Sequence, residues 1–132
     1  VLTTGWDVVR RPDDGESVGY VVPDGDLVVP VTLVGTPLGA ARTEADATAL
    51  LRSRGLAVLD RRWWCRLPDP LPRGVTDAGE PEPGWGWRPV VLVEASPTGC
   101  RVRPEWPEPA ELGGQATLPV PVGDLLRAEP PA

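Results

Sequence analysis

Apolar and polar positions alternate with a period of two at the start of the chain. Trp6, Val8 and Arg10 fall on one side and Asp7, Val9 and Arg11 on the other, which is the period of a strand rather than of a helix. Pro12-Asp13-Asp14-Gly15 supplies turn residues, Gly19-Tyr20-Val21-Val22 reads as a second strand, and Pro23-Asp24-Gly25-Asp26 as a second tight turn with Asp-Gly at its centre. A third strand is expected over 27–34. Pro30 within it lacks a ladder donor and calls for an edge position or a bulge. The period then changes. Thr43-Glu44-Ala45-Asp46 has the spacing of a capping box, with Thr43 capping a helix from about Glu44 to Arg54 and Asp46 reaching back. Ala45, Ala49 and Leu50, with Ala47, form its apolar side. Arg52 and Arg54 suit the exposed carbonyls of the last turn, and Gly55-Leu56 reads as a glycine C-cap.

Alternation returns over 61–67, with Trp63, Cys65 and Leu67 on one face and Arg62, Trp64 and Arg66 on the other. Residues 68–86 are rich in Pro, Gly, Asp and Glu and read as a long connection, either a linker or a functional arm. Beyond Trp87-Arg88-Pro89, a Val-rich strand over 90–94 leads into the turn Ser96-Pro97-Thr98-Gly99. A return strand over 100–103 places Cys100 and Val102 inward. An irregular stretch over 104–114 precedes a last strand over 116–122, a tight turn at 123–125 and the closing pair Leu126-Arg127.

The strand spacing over about 85–128 resembles a small SH3-like or Tudor-like barrel: an aromatic-led strand, a hairpin, an extended stretch and a short turn before the end. The resemblance implies a module that binds peptide or nucleic acid. Of the aromatic residues there, Trp85, Trp87 and Trp106, none falls at a matched cage position. The segments Val22 to Leu27 and Val120 to Leu125 both read V-P-x-G-D-L, which marks either two related units or the compositional bias of the chain. The fold class expected is α+β, predominantly β. An antiparallel sheet with one helix (β-β-β-α-β) over 1–67 is joined by 68–86 to an SH3-like unit or sheet extension over 87–132, the whole packing as one compact domain.

Composition narrows the chemistry. The 132 residues contain no Lys, His, Met, Phe, Ile or Asn, and all 13 basic residues are Arg. Most of the missing types have A/T-rich codons, so a GC-rich, actinobacterial genome is expected. Without His or Lys the usual general base, Schiff-base amine and most metal-ligand chemistry are lost. The core must come from Val, Leu, Ala and six Trp. A net charge of −6 disfavours sequence-independent nucleic-acid binding, which relies on a basic surface to neutralise phosphates. Neither an apolar run long enough to span a membrane nor a signal-like leader is seen, and a cytoplasmic location is expected.

Cys65 and Cys100 cannot complete a four-ligand zinc site and have no His to activate them, so both are read as buried reduced thiols. Serine catalysis lacks a base, and no phosphate-binding glycine motif occurs. The acidic clusters 13–16 and 24–26 are read as solvated turns rather than cation sites. No cofactor and no metal are expected. The constellation that stands out is Arg62, Trp64 and Arg66, an aromatic ring between two guanidinium groups. Arg101 and Arg103 extend it if their strand lies nearby. The competing reading has Trp64 covered, with Arg stems lying across it. The function expected is a non-catalytic binding or regulatory module with a protein partner. An RNA or single-strand binder comes second and a small carboxylate-dependent enzyme third.

Overall fold

The computed structural model describes residues 5–130. They form an α+β, predominantly β structure with one α-helix, a three-stranded sheet and a six-stranded sheet. The chain divides into two compact units, one ending at Leu59 and the other starting at Asp60.

In the first unit β1 (Asp7–Arg10), β2 (Ser17–Asp24) and β3 (Leu27–Val31) pair antiparallel in chain order. Asp24 pairs with Leu27, so Gly25-Asp26 is a two-residue loop in which Gly25 takes the positive φ of 61° that such a turn needs at its first position. Pro30 lies on β3, at the sheet edge, as its missing donor requires. β3 stops at Val31, short of the expected 34, because Gly35 turns the chain at Thr32–Thr36, where two buried hydroxyls bond at 2.6 Å.

Helix α1 (Glu44–Arg54) has the expected bounds, and the Thr43 hydroxyl accepts the Asp46 amide at 3.3 Å. Its buried stripe is Ala47 and Leu51, an i, i+4 pair packed with Val9, Val18 and Val21. Ala45 and Ala49, expected on the same side as Ala47, are exposed, because a spacing of two residues puts them on the side of the helix opposite Ala47 and Leu51. Gly55 is the C-cap, as expected, and its amide bonds the Leu51 carbonyl, but its conformation differs from the usual glycine cap. Its φ of −57° is right-handed, so it is not a left-handed cap. A Cβ there would lie 2.4 Å from the Val18 carbonyl oxygen, so the missing side chain allows backbone to approach backbone. Arg52 donates to the Arg10 carbonyl at 3.0 Å and ties the last turn to β1. Replacing Thr43 by Ala removes one cap bond and should lower stability by about 0.5–1 kcal/mol. A urea midpoint equal to that of the parent protein would show that the long bond contributes nothing.

The second unit holds the sheet β5-β8-β7-β6-β4-β9, made from β4 (Trp63–Leu67), β5 (Gly74–Asp77), β6 (Gly86–Ser96), β7 (Gly99–Pro104), β8 (Gly114–Leu118) and β9 (Leu126–Arg127). The fourth strand, grouped by sequence with the first three, instead pairs with β6 and β9. Residues 68–86 are not wholly irregular, since β5 within them pairs parallel to β8. β6 is longer than the expected 90–94. A bulge between Leu92 and Glu94 leaves Val93 exposed and keeps the alternation in step with β7. The last long strand stops at Leu118, and residues 120–125 lead into a 3-10 turn, Gly123–Leu125. The two V-P-x-G-D-L segments therefore take different structures, a β-hairpin at 22–27 and a turn before β9 at 120–125.

One face of this sheet is the core. Trp63, Cys65, Leu67, Val90, Cys100, Val102, Ala116, Leu118 and Leu126 alternate onto it and are all buried. Both cysteines are free thiols, and burial pushes each up to about 12. Glu111, on the 3-10 turn Pro109–Glu111, is buried in the same unit. It accepts from the two terminal guanidinium nitrogens of Arg88 at 2.6 and 2.8 Å, from the Leu71 amide at 2.7 Å and from the Glu108 amide at 3.0 Å. This carboxylate joins β6 to the start of the 68–86 segment, where Arg88 also reaches the Pro68 carbonyl.

Candidate functional site

The opposite face of the six-stranded sheet is where the residues singled out by sequence meet. Cross-strand partners in a ladder share a face. Arg66 pairs with Trp87, Trp64 with Pro89 and Arg127, Val91 with Arg103, and Glu94 with Arg101. Arg62 continues the β4 alternation onto the same side. Strand β6 separates β4 from β7, so Arg62 and Arg103 stand roughly 10 Å apart across the sheet, while Arg66 and Arg101 lie toward opposite ends of β6, against Trp87 and Glu94. All five expected residues therefore lie on one outer face, Trp64 half-buried and Arg62, Arg66 and Arg103 exposed.

Their local partners differ from a guanidinium stack on Trp64. The Arg62 guanidinium lies 4.6 Å from the Trp106 ring centre and is ion-paired with Glu105, while Arg66 lies 5.0 Å from the Trp87 ring. Arg101 is ion-paired with Glu94, and Arg103 donates to the Pro104 carbonyl. Glu105 sits on this face because its amide bonds the Pro89 carbonyl just after β7 ends. Two of the five guanidinium groups are thus neutralised locally.

The sequence reading passed over the residues that complete the site. Arg127 brings a second guanidinium to within 4.8 Å of the Trp87 ring centre. Arg66, Trp87 and Arg127 line a cavity of about 320 Å³ with Pro81, Asp124 and Leu125. Trp87 was detectable in principle, being two residues before Pro89 on one face of a strand. Arg127 was not, since its place depends on β9 returning beside β4.

A second, more open groove of about 760 Å³ lies over the far end of the same sheet, with Asp77, Glu80, Glu94 and Arg101 among its lining residues. The sequence-level acidic clusters behave as turns. Asp14 accepts the Glu16 amide and pairs with Arg11, and both contacts hold its carboxyl below the usual value. Among the described residues no group of three His, Cys, Asp or Glu side chains is placed to hold a metal ion, and no helix is long and apolar enough to cross a membrane.

Comparison of the chain with protein-family models, with curated proteins and with solved structures finds no match to any of the three.

Proposed function

We propose that this protein is a non-catalytic binding module, made by a GC-rich bacterium, whose second unit presents the outer face carrying Arg62, Trp64, Arg66, Arg101 and Arg103 to a protein partner. The observation that carries this reading is the convergence of those five residues, with Trp87, Trp106 and Arg127, on one solvent-facing side of a sheet whose other side is core. Arg and Trp are the residues that dominate binding energy at protein interfaces. A purely structural outer face has no need of them together.

The strand succession supports an SH3-like architecture for this unit. The aromatic-led strand β6 forms a hairpin with β7, β8 follows antiparallel, and a 3-10 turn directly precedes β9. The non-catalytic reading rests on the absence of His and Lys and on the two thiols, buried and held far from the thiolate form. A polyanion is the weaker fit, because Glu94, Glu105 and Asp124 share the region with the arginines and the chain carries −6 overall.

Photo-crosslinking tests the assignment. A benzophenone side chain at Val91, in the middle of the face, should capture a discrete protein in cells of the source bacterium. The adduct should disappear in the double variant Trp64→Ala, Arg103→Ala. A crosslinker at Val8 of the first unit should not capture the same protein. Adducts with nucleic acid, or a protein adduct indifferent to the double variant, would refute the proposal.

A further inference from the structure

The arginines of the described residues divide sharply by partner. Arg11, Arg61, Arg62, Arg88 and Arg101 are each paired with a carboxylate, and Arg10, Arg42, Arg52 and Arg103 donate to backbone carbonyls. Arg54, Arg66, Arg73 and Arg127 have no such acceptor among the described residues, and of these four Arg66 and Arg127 share one site. Both lie over one ring, that of Trp87, and both line the 320 Å³ cavity. Two like charges held on one side chain repel each other, and the ring offsets only part of that repulsion. The arrangement is relieved by an anion.

Resting on the binding-module reading above, we infer that the Arg66–Trp87–Arg127 cavity is a subsite for a carboxylate side chain of an extended acidic peptide segment in the partner. Guanidinium groups bind carboxylates through paired, charge-assisted N–H donors, and Arg66 and Arg127 leave all of theirs available. The Trp87 ring and Leu125 supply an apolar floor for the methylene stem of a Glu. Asp124, in the first turn of Gly123–Leu125, decides between polyanion and peptide. It repels a run of phosphates, yet its carboxylate can accept a backbone N–H from a peptide lying alongside. Charge complementarity thus selects an occupant with one or two isolated carboxylates and free amides.

Fluorescence anisotropy of labelled peptides on the full chain tests this. A Gly/Ala/Glu peptide should bind at least tenfold more tightly than the same peptide with Gln for Glu. Arg66→Gln and Arg127→Gln together should remove that difference, whereas Arg73→Gln, at an exposed and unpaired arginine elsewhere in the unit, should not. Raising salt from 0.05 to 0.5 M should weaken the acidic peptide only modestly, as expected for one or two contacts rather than a phosphate track. Equal affinity for the Glu and Gln peptides would overturn the subsite. So would an oligothymidylate that binds more tightly than the acidic peptide and loses affinity in the same double variant. If the Val91 crosslink persists while the peptide result fails, the subsite falls and the binding face stands. Loss of both removes the face.

Discussion

Glu111→Ala is expected to destabilise the second unit by about 3–5 kcal/mol, the cost of breaking a buried ion pair from one side. The Glu111 side chain has no solvent exposure, and the Arg88 side chain is 18% exposed. Removing the carboxylate leaves that guanidinium, the Leu71 amide and the Glu108 amide without their acceptor in a place water barely reaches. The same group makes stability depend on acid. The Arg88 hydrogen bonds, helped by the two amides and opposed by burial, hold Glu111 down from 4.5 to about 2. The unfolded chain therefore binds the proton more readily than the folded one. The contribution is full above 4.5, falls as pH drops below it, and is gone once pH passes below about 2. Urea midpoints measured at pH 7 and pH 3 should differ strongly in the parent protein and much less in Glu111→Gln. Parallel pH curves for the two would mean that the carboxylate is not the acid-labile group.

Trp63→Ala should cost about 3–5 kcal/mol and Trp64→Ala about 1 kcal/mol, although the two residues are adjacent and identical. Trp63 is 3% exposed and packs on the core face opposite Val90, whereas Trp64 is half-buried on the outer face opposite Pro89. Because strand side chains have a period of two, a register one residue out would exchange the two costs. Denaturant melts of the two single variants read this directly. The comparison also licenses Trp64 variants as binding probes, since a protein that keeps its fold separates lost affinity from lost structure.

Local patterns in the sequence carried much of the architecture. The alternation over 61–67 placed Trp63, Cys65 and Leu67 inward and Arg62, Trp64 and Arg66 outward, and burial follows that division. Thr43 set the start of the helix, because a side-chain oxygen beside an orphan amide is a local matter. The Ser96–Gly99 turn and the closing pair at 126–127 were legible for the same reason. β5 was not, since four mostly exposed residues with a single Val carry no periodic signal, and the strand exists through its parallel partner β8.

The site depended on pairings that no local pattern specifies. Alternation says which side of its own strand a residue occupies, but the neighbour across the ladder is chosen by chain segments far away. Arg62 therefore met Trp106, Arg66 met Trp87, and Arg127 joined them only because β9 returns beside β4. Glu111 falls in the stretch 104–114, which has no periodic pattern, and its burial against Arg88 depends on the distant Leu71 amide and on Arg88 reaching the Pro68 carbonyl. The sequence by itself determined which residues face inward along 61–67 and 100–103, where the helix begins and which side-chain types the chain lacks. Tertiary structure decided which strands are neighbours, which arginines are neutralised and which two remain open at Trp87, because these depend on hydrogen-bonded contacts between segments distant in the chain, whose closure only the complete fold can stabilise.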